Sequence, residues 1–335
     1  MSRVVIVGEA WGRQEEEERR PFVGASGKFL NSLLAKVGIR RSDCFVTNVF
    51  NLRPQPTNDV SNLCGPKAAG IPGYPALTKS KYVLAQYAPE LERLFREIRN
   101  ESPNLIIAFG NTPLWALCRR TGITKFRGAP LVSHLGIKVL PTYHPAAVLR
   151  QYKLYPVIYA DLKKAAREAE FPELRRPPRT IFVPESIEDL EWFEREHIDP
   201  SPRLAVDIET KGDQITEVGF APSPSAALVV PFWDRLRSDG NYWPSHALER
   251  EAWLWIWRQL RKGKEIVGQN FSYDMQYFWR RMGFTVPDAT HDTMLLHHAL
   301  QPEMEKGLGF LGSIYTDEPA WKFLGRHAET LKKED

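Results

Sequence analysis

The sequence predicts two successive α/β domains, and three observations support this prediction. The chain has 335 residues, more than the roughly 100–200 residues of a typical single domain. Residues 171–180 (FPELRRPPRT) are rich in proline and arginine and lack apolar periodicity, which is typical of a linker. On both sides of this linker, short apolar runs alternate with segments of helical spacing. We therefore place the first domain at residues 1–170 and the second at residues 181–335.

The composition excludes several classes of protein. Hydrophobic residues make up 43% and charged residues 26% of the chain, which excludes a disordered or collagen-like protein. No apolar run approaches the roughly 20 residues of a membrane-spanning helix, and the N-terminus lacks the pattern of a signal peptide. The net charge of +4 is too small to indicate nucleic-acid binding by itself. We expect a cytoplasmic protein, in the bacterial host if the chain is viral, with no membrane partner.

Four apolar runs in the first domain predict buried strands, at residues 4–7, 45–49, 105–109 and 137–140. Segments of helical spacing separate them, at residues 24–37, 81–99 and 112–119. Such alternation produces a parallel sheet with right-handed crossovers and helices on both faces. We therefore predict an α/β/α sandwich around a parallel four-stranded sheet.

Three polar segments follow strands of this predicted sheet. Glu9 follows the first strand, Asn48 ends the second, and His144 follows the fourth. Ligands of parallel sheets bind beyond the carboxyl ends of the strands, so we expect these three residues at one edge. A single polar residue there would ordinarily satisfy backbone groups of a loop. Three together, in glycine-rich surroundings, indicate a binding site.

Five segments of the first domain resemble the successive motifs of the family 4 uracil-DNA glycosylases, in order and over about residues 3–150. They are GEAWG, RPFVGASGKFLNSLL, TNVFNLRP, RGAPL and PTYHPAAVLR. The resemblance implies the fold of these enzymes and the excision of an extruded uracil. It also implies three roles: Phe22 stacks on the base, Asn48 hydrogen-bonds the uracil edge, and His144 donates to the departing uracil anion.

The resemblance assigns further residues but also has departures. Glu9 and Glu15 match acidic positions of the first motif and are expected to hold the attacking water, and Asn58 matches a family asparagine with a shift of one residue. Trp11 replaces a proline common in that motif, and a Gly/Pro-rich insertion at 59–80 adjoins the site. Family members usually hold an iron–sulfur cluster with four cysteines, whereas this chain has three, so we expect no such cluster. Retained excision and a descendant that only binds DNA both remain open.

The second domain carries a pair of carboxylates on a predicted core strand. Residues 203–210 read RLAVDIET, and residues two apart on a strand point to the same face. Asp207 and Glu209 therefore converge and repel each other unless a cation neutralises them, and Mg²⁺ prefers such oxygen ligands. A hairpin at 215–220 and 227–232, a tryptophan-rich helix at 251–260 and a strand at 265–267 are predicted to follow. The helix is expected to pack Trp253, Ile256, Trp257 and Leu260 inward.

Four segments of this domain resemble the 3′–5′ proofreading exonuclease domain of family A DNA polymerases, especially those of phages, over about residues 178–325. They are DIET, NFSYD, HDTMLLHHAL and KGLGFLGSIY. The resemblance implies a ribonuclease-H-like fold with a mixed sheet. It also implies that Asp207, Glu209 and Asp274 surround two Mg²⁺ or Mn²⁺ ions. Asp292 is expected either to support these ligands without binding the metal itself or to cap the start of its helix.

The last motif of that family, Tyr-x-x-x-Asp, does not occur after Asp292. Tyr315 is followed four residues later by Pro319. We therefore expect weak metal binding, little exonuclease activity from this chain alone, and a polymerase domain downstream or on a separate chain. Three functions remain open. The first is a bifunctional enzyme that combines uracil excision with a proofreading-type exonuclease and acts on single-stranded DNA or 3′ ends. The second is a non-catalytic DNA-binding accessory of a polymerase, and the third is an unrelated small-molecule hydrolase.

Overall fold

The computed structural model describes residues 3–176, 178–287 and 289–318. Their contacts divide them into two compact units. The first unit contains residues 3–175 and 309–318, and the second contains residues 176–308. Residues 309–318 thus group with the first unit, although the sequence analysis placed them in the second domain. Residues 319–335 of the predicted second domain, with Pro319, lie outside the described residues.

The first unit is built on a five-stranded sheet with the spatial order β2-β1-β5-β7-β6. The strands β2, β1, β5 and β7 are parallel, as predicted, whereas the short β6 pairs antiparallel with β7 and was not predicted. Two further strands form a separate antiparallel ladder, in which β3 lies in the insertion and β4 directly follows it. The strands are β1 (Val4–Ala10), β2 (Cys44–Phe50), β3 (Cys64–Gly65), β4 (Tyr82–Val83), β5 (Leu105–Phe109), β6 (Leu131–Val132) and β7 (Lys138–Thr142).

Helices cover both faces of this sheet, which confirms the predicted sandwich. Val5 and Val7 of β1 pack with α3 and α4 on one face, and Ile6 packs with α2, α6 and α7 on the other. The helices are α1 (Arg13–Glu18), α2 (Ala25–Lys36), α3 (Ala88–Glu101), α4 (Asn111–Cys118), α5 (Ile123–Phe126), α6 (Pro145–Arg150) and α7 (Tyr155–Glu168).

The start of α3 corrects the predicted helix at 81–99. Residues Tyr82–Val83 form β4 instead, and the helix begins at Ala88. Pro89 lies in the first turn of α3, where its missing N–H is tolerated. Its ring would clash with a preceding helical turn, so the helix cannot extend back through it.

The second unit contains the predicted mixed sheet, in the spatial order β13-β12-β9-β10-β11-β8. The strands β9, β10 and β11 are antiparallel, whereas β12 runs parallel to β9 and to β13. The strands are β8 (Thr180–Phe182), β9 (Arg203–Lys211), β10 (Gln214–Ser223), β11 (Ala226–Pro231), β12 (Glu265–Gly268) and β13 (Ala289–Asp292).

The tryptophan-rich helix α9 supplies much of the core of the second unit. The predicted inward orientation of Trp257 is wrong, because 38% of Trp257 is exposed and Trp255 is fully buried against Phe220 instead. The helices that begin in this unit are α8 (Ile187–Phe193), α9 (His246–Leu260), α10 (Ser272–Met282), α11 (Thr293–Leu300) and α12 (Leu308–Tyr315). No helix among the described residues is long and apolar enough to span a membrane.

Residues 309–318 pack in the first unit against a buried ionic cluster. Asp161 on α7 accepts hydrogen bonds from the guanidinium group of Arg127, and both side chains are almost completely buried. A guanidinium nitrogen of Arg127 also donates to Ser313 Oγ at 2.7 Å. Lys164 Nζ donates to the main-chain oxygen of Ser313 at 3.0 Å. These contacts join two parts of the sequence that are far apart.

Candidate functional site

A pocket of about 400 Å³ lies at the carboxyl ends of the strands in the first unit. The register explains its position: Gly8 of β1 pairs with Asn48 of β2, and Phe109 of β5 pairs with Thr142 of β7. The strand ends therefore meet at one edge. The structure brings together the six residues predicted for this site, and all of them line the pocket: Glu9, Glu15, Phe22, Asn48, Asn58 and His144.

Gly8 allows two of these side chains to pack directly against the strand. A Cβ atom at Gly8 would lie 2.1 Å from Asn48 Oδ1 and 2.6 Å from the Phe22 ring. Only glycine permits such close approach, because real Cβ contacts are much longer. Gly27 acts similarly, since a Cβ there would lie 1.8 Å from the main-chain oxygen of Phe22. The two glycines therefore fix the positions of Asn48 and Phe22.

Asn48 has its carboxamide free for a ligand although the residue is only 3% exposed. Its main-chain oxygen accepts a hydrogen bond of 2.9 Å from Arg93. Its carboxamide makes no hydrogen bond to another side chain or backbone group within the described ranges. A buried amide normally has partners, so a pocket-lining amide without them is suited to bind a ligand that supplies both a donor and an acceptor.

His144 is held as a neutral ring of defined tautomer. It caps the N-terminus of α6, and its Nδ1 accepts a hydrogen bond of 3.2 Å from the Ala146 amide. Since Nδ1 is an acceptor, the ring proton lies on Nε2. Burial lowers the pKa of His144 to about 4, and the positive charge of Arg150 acts in the same direction. The ring stacks on Phe22, with 5.6 Å between the ring centroids.

The two glutamates of the first motif have different surroundings. Burial raises the pKa of Glu9, whose Oε2 accepts a hydrogen bond of 2.5 Å from Thr112. Glu15 accepts hydrogen bonds of 3.1 Å on each of its oxygens, from the amides of Gly12 and Gly24. Glu15 thus joins the start of α1 to the loop before α2. This geometry favours Glu9 over Glu15 as the group that holds a water molecule.

Asn58 lies at the exposed mouth of the pocket, away from the buried part. Its Oδ1 accepts a hydrogen bond of 2.6 Å from Arg53. Two further pocket residues were not singled out as site residues from the sequence. The indole N–H of Trp11 is buried without a described acceptor, and Arg150 supplies a cation in the pocket wall. Arg150 is the last residue of the motif that contains His144. This shared motif was the signal in the sequence that could have identified Arg150 as a site residue.

In the second unit, the structure places Asp207 and Glu209 on the same face of β9, both exposed. Glu209 pairs with Glu217 of β10, and the pKa of Glu217 is raised by burial and by the charge of Glu209. This face of the sheet therefore carries an excess of negative charge. Such an arrangement is costly without a cation nearby.

Asp274 lies near these carboxylates at the start of α10 and is only 3% exposed. Its Oδ1 accepts a hydrogen bond of 2.9 Å from the Ile208 amide. Burial raises the pKa of Asp274 to about 7, and the charges of Asp207 and Asp292 add to this. Asp292 caps α11, accepting 2.8 Å hydrogen bonds from the amides of Met294 and Phe271. It therefore holds the turn that leads into α10.

The carboxylates of Asp207 and Asp274 are the type of ligand that a divalent cation prefers. Within residues 3–176, 178–287 and 289–318, no three His, Cys, Asp or Glu side chains are grouped closely enough to hold a metal. Asp207 and Asp274 are nevertheless near enough for the charge of one to raise the pKa of the other. A cation between them would relieve this repulsion, and oxygen ligands suit Mg²⁺ or Mn²⁺.

We expect Mn²⁺ to raise the unfolding temperature of the second unit in the full-length chain, and Asp274→Asn to remove this effect. Because the pKa is raised from 3.8 to about 7, ionisation of Asp274 destabilises the folded state increasingly between these pH values and fully above pH 7. Without metal at pH 8, Asp274→Asn should therefore unfold at a higher temperature than the wild type. Calorimetry of both proteins with and without Mn²⁺ measures this. Asp239→Asn removes an exposed charge from the same unit, and Mn²⁺ should still raise its unfolding temperature. If Mn²⁺ raised the unfolding temperature of Asp274→Asn as much as that of the wild type, Asp274 would not be a ligand of the metal.

The first unit is similar to known proteins of one family. Residues 1–174 match the family model of the uracil DNA glycosylase superfamily. The type-4 uracil-DNA glycosylase of Thermotoga maritima is 35% identical over 172 residues, which cover 49% of this chain and 76% of that protein. The type-4 enzyme of Archaeoglobus fulgidus is 31% identical over 175 residues, covering 49% and 75%.

Other similarities reach the second unit. The DNA polymerase of Bacillus phage SP01 is 29% identical over 332 residues, which cover 88% of this chain but only 32% of the polymerase. Among solved structures, the EXD2 exonuclease domain soaked in Mg and dGMP has a TM-score of 0.29 at 15% identity, covering 40% of this chain and 68% of that one. The EXO domain of Aedes aegypti Nibbler has a TM-score of 0.32 at 13% identity, covering 44% and 72%.

The chain therefore combines a domain that is similar to uracil-DNA glycosylases with a second α/β unit, and most of its length is similar to a phage DNA polymerase. Its first unit has the sheet, the pocket and the motifs expected from the sequence. The matched residues 1–174 make up more than half of the chain. Through them, the chain belongs to the uracil DNA glycosylase superfamily.

Proposed function

We propose that the first unit excises uracil from DNA and that the second unit binds DNA 3′ ends with a divalent metal, both as parts of a replication or repair polymerase. One observation carries the first proposal. A neutral His144 with its proton on Nε2 shares a pocket with the unpartnered carboxamide of Asn48 and the buried ring of Phe22. These are the groups that an extruded uracil needs.

The leaving group explains why a neutral histidine suits this reaction. When the bond between uracil and the sugar breaks, the base leaves as an anion with negative charge on its oxygens. A hydrogen bond from Nε2–H of His144 stabilises the charge that develops in the transition state. Because the pKa of His144 is about 4, the ring is already neutral at physiological pH and needs no proton from solvent.

Asn48 provides selectivity for uracil. Uracil presents an N–H donor beside a carbonyl acceptor, and cytosine presents the opposite arrangement at the same edge. A carboxamide held in one orientation matches only one of these, and the mismatch leaves buried polar groups unpaired. The close packing of Asn48 on Gly8 restricts the carboxamide.

Glu9 holds the attacking water. Thr112 occupies one oxygen of its carboxyl group, and within the described residues no group donates to the other. A water bound there would be oriented towards the sugar once the base is in the pocket. Glu15 instead maintains the pocket wall through its two amide contacts.

The decisive experiment uses a single-stranded DNA that is labelled at its 5′ end and contains one uracil. The full chain is incubated with it in EDTA, so that any metal-dependent nuclease is inactive, and the product is cleaved with alkali. We expect cleavage at the uracil and none in a matched strand with cytosine there. Intact DNA under these conditions would overturn the proposal and favour a DNA-binding role. Replacing EDTA by Mn²⁺ tests the second unit, for which we expect slow, Asp207-dependent shortening.

The pH dependence of His144 gives an independent test. We expect the ring to titrate near pH 4, so its protonation does not lower excision between pH 8 and pH 5. Below its pKa, Nδ1 gains a proton and repels the Ala146 amide, so excision should fall. NMR of the ¹⁵N-labelled histidine rings measures both the tautomer and the pKa. A His144 that titrates near the ordinary value of about 6.5 would contradict this geometry.

A further inference from the structure

A strip of aromatic and basic side chains begins at the pocket wall of the first unit and is not used by the proposed chemistry. It starts at Arg150, at the end of α6, and continues through the turn to α7 and on to the end of α2. We call it the tyrosine strip, and it consists of Lys36, Arg150, Tyr152, Lys153 and Tyr155.

The rings of the tyrosine strip are arranged as a platform with one open face. Tyr152 stacks on Tyr155, with 5.4 Å between the ring centroids and 18° between the ring planes. A hydrogen bond of 2.8 Å fixes the position of Tyr155, because Lys36 Nζ donates to its hydroxyl. Tyr152 nevertheless leaves 72% of its surface exposed. A ring that is fixed on one side and open on the other is suited to stack on a flat ligand.

The charges of the strip match a nucleic-acid backbone. Lys36, Arg150 and Lys153 are exposed, and Lys153 and Arg150 form no ion pair with a described residue. Three cations beside the exposed ring of Tyr152 can neutralise phosphates while that ring stacks on a base.

The distance from the pocket fits a strand that carries an extruded base. Arg150 lies six positions after His144, at the end of α6, which corresponds to about 9 Å of helix. Stacked nucleotides are about 3.4 Å apart, so the strip lies two or three nucleotides from the base in the pocket. We propose that the tyrosine strip binds the unpaired nucleotides that flank the extruded uracil, which selects single-stranded DNA. This inference rests on the proposed function of the pocket.

Binding of the full chain to a fluorescently labelled single strand tests the inference. The strand carries a 2′-fluorinated deoxyuridine, which resists excision and keeps the complex intact. Loss of one base–ring stack should raise the Kd for Tyr152→Ala by about 5- to 150-fold. Tyr152→Phe retains the ring and should bind as the wild type does. Lys153→Ala should weaken binding and lower the salt dependence by about one phosphate contact.

Two controls make the outcome specific. Arg96→Ala removes an exposed cation from α3, on the opposite face of the same unit, and should leave binding unchanged. Thermal unfolding verifies that Tyr152→Ala remains folded. Equal Kd values for Tyr152→Ala and the wild type, or equal losses for Tyr152→Phe and Tyr152→Ala, would overturn the inference. A wild-type chain that binds through Tyr152 but does not excise uracil would instead overturn the proposed function alone.

Discussion

Replacing Asn48 by alanine is expected to lower the single-turnover rate of uracil excision by about 10²–10³-fold, as does the loss of one preorganised donor in other enzymes. The carboxamide is almost fully buried, lines the pocket and has no described partner that could substitute for it. His144→Ala should have an effect of similar size, because it removes the donor to the departing base. Rates are measured on the uracil strand with enzyme in excess over DNA.

Asn31→Ala is the matched control for Asn48→Ala, since it removes an exposed asparagine from α2 in the same unit. We expect it to excise uracil as fast as the wild type. Gly8→Ala tests the position of the carboxamide without changing Asn48 itself. The added Cβ would lie 2.1 Å from Asn48 Oδ1 and displace the carboxamide. Wild-type rates for both Asn48→Ala and His144→Ala would refute the assigned roles.

The position of the site at the carboxyl edge of the sheet was predictable, because parallel strands end at the same edge. Glu9, Asn48 and His144 lie far apart in the sequence, yet strand–helix alternation alone predicted their meeting, and they line one pocket. The sequence could not show that Glu15 has both oxygens engaged by the amides of Gly12 and Gly24. Such a contact depends on the path of a loop, and loop geometry is only weakly encoded in residue type.

Contacts between segments that are far apart in the sequence could not be predicted, because no local sequence pattern indicates them. Arg127 and Ser313 are 186 positions apart, and nothing near either residue indicates that they meet. Apolar periodicity reports which face of a helix is buried but not the element that buries it. For the same reason, the periodicity of α9 did not distinguish Trp257, which is exposed, from the buried Trp255.

The buried ionic cluster of the first unit leads to the largest expected effect on stability. Asp161 accepts hydrogen bonds from Arg127 Nε at 2.9 Å and from Thr142 Oγ1 at 2.6 Å. None of the Asp161 side chain and only 2% of the Arg127 side chain is exposed. Asp161→Ala would remove the carboxylate that faces the buried guanidinium charge. We expect the free energy of unfolding of the first unit to fall by about 3–5 kcal/mol.

Hydrogen exchange measures this loss separately for each unit of the full chain, because amides of β5 and β7 exchange by opening of the first unit. Amides of β9 in the second unit should keep their protection and serve as the internal control. The double variant Arg127→Met with Asp161→Leu removes both charges and should lose less stability than Asp161→Ala, since a buried pair costs most when one partner remains. Thr142 lies two residues before His144, so Asp161→Ala should also slow excision by loosening that loop. If Asp161→Ala were as stable as the wild type, the guanidinium group of Arg127 would have to reach solvent in solution, and the cluster could not hold residues 309–318 in place.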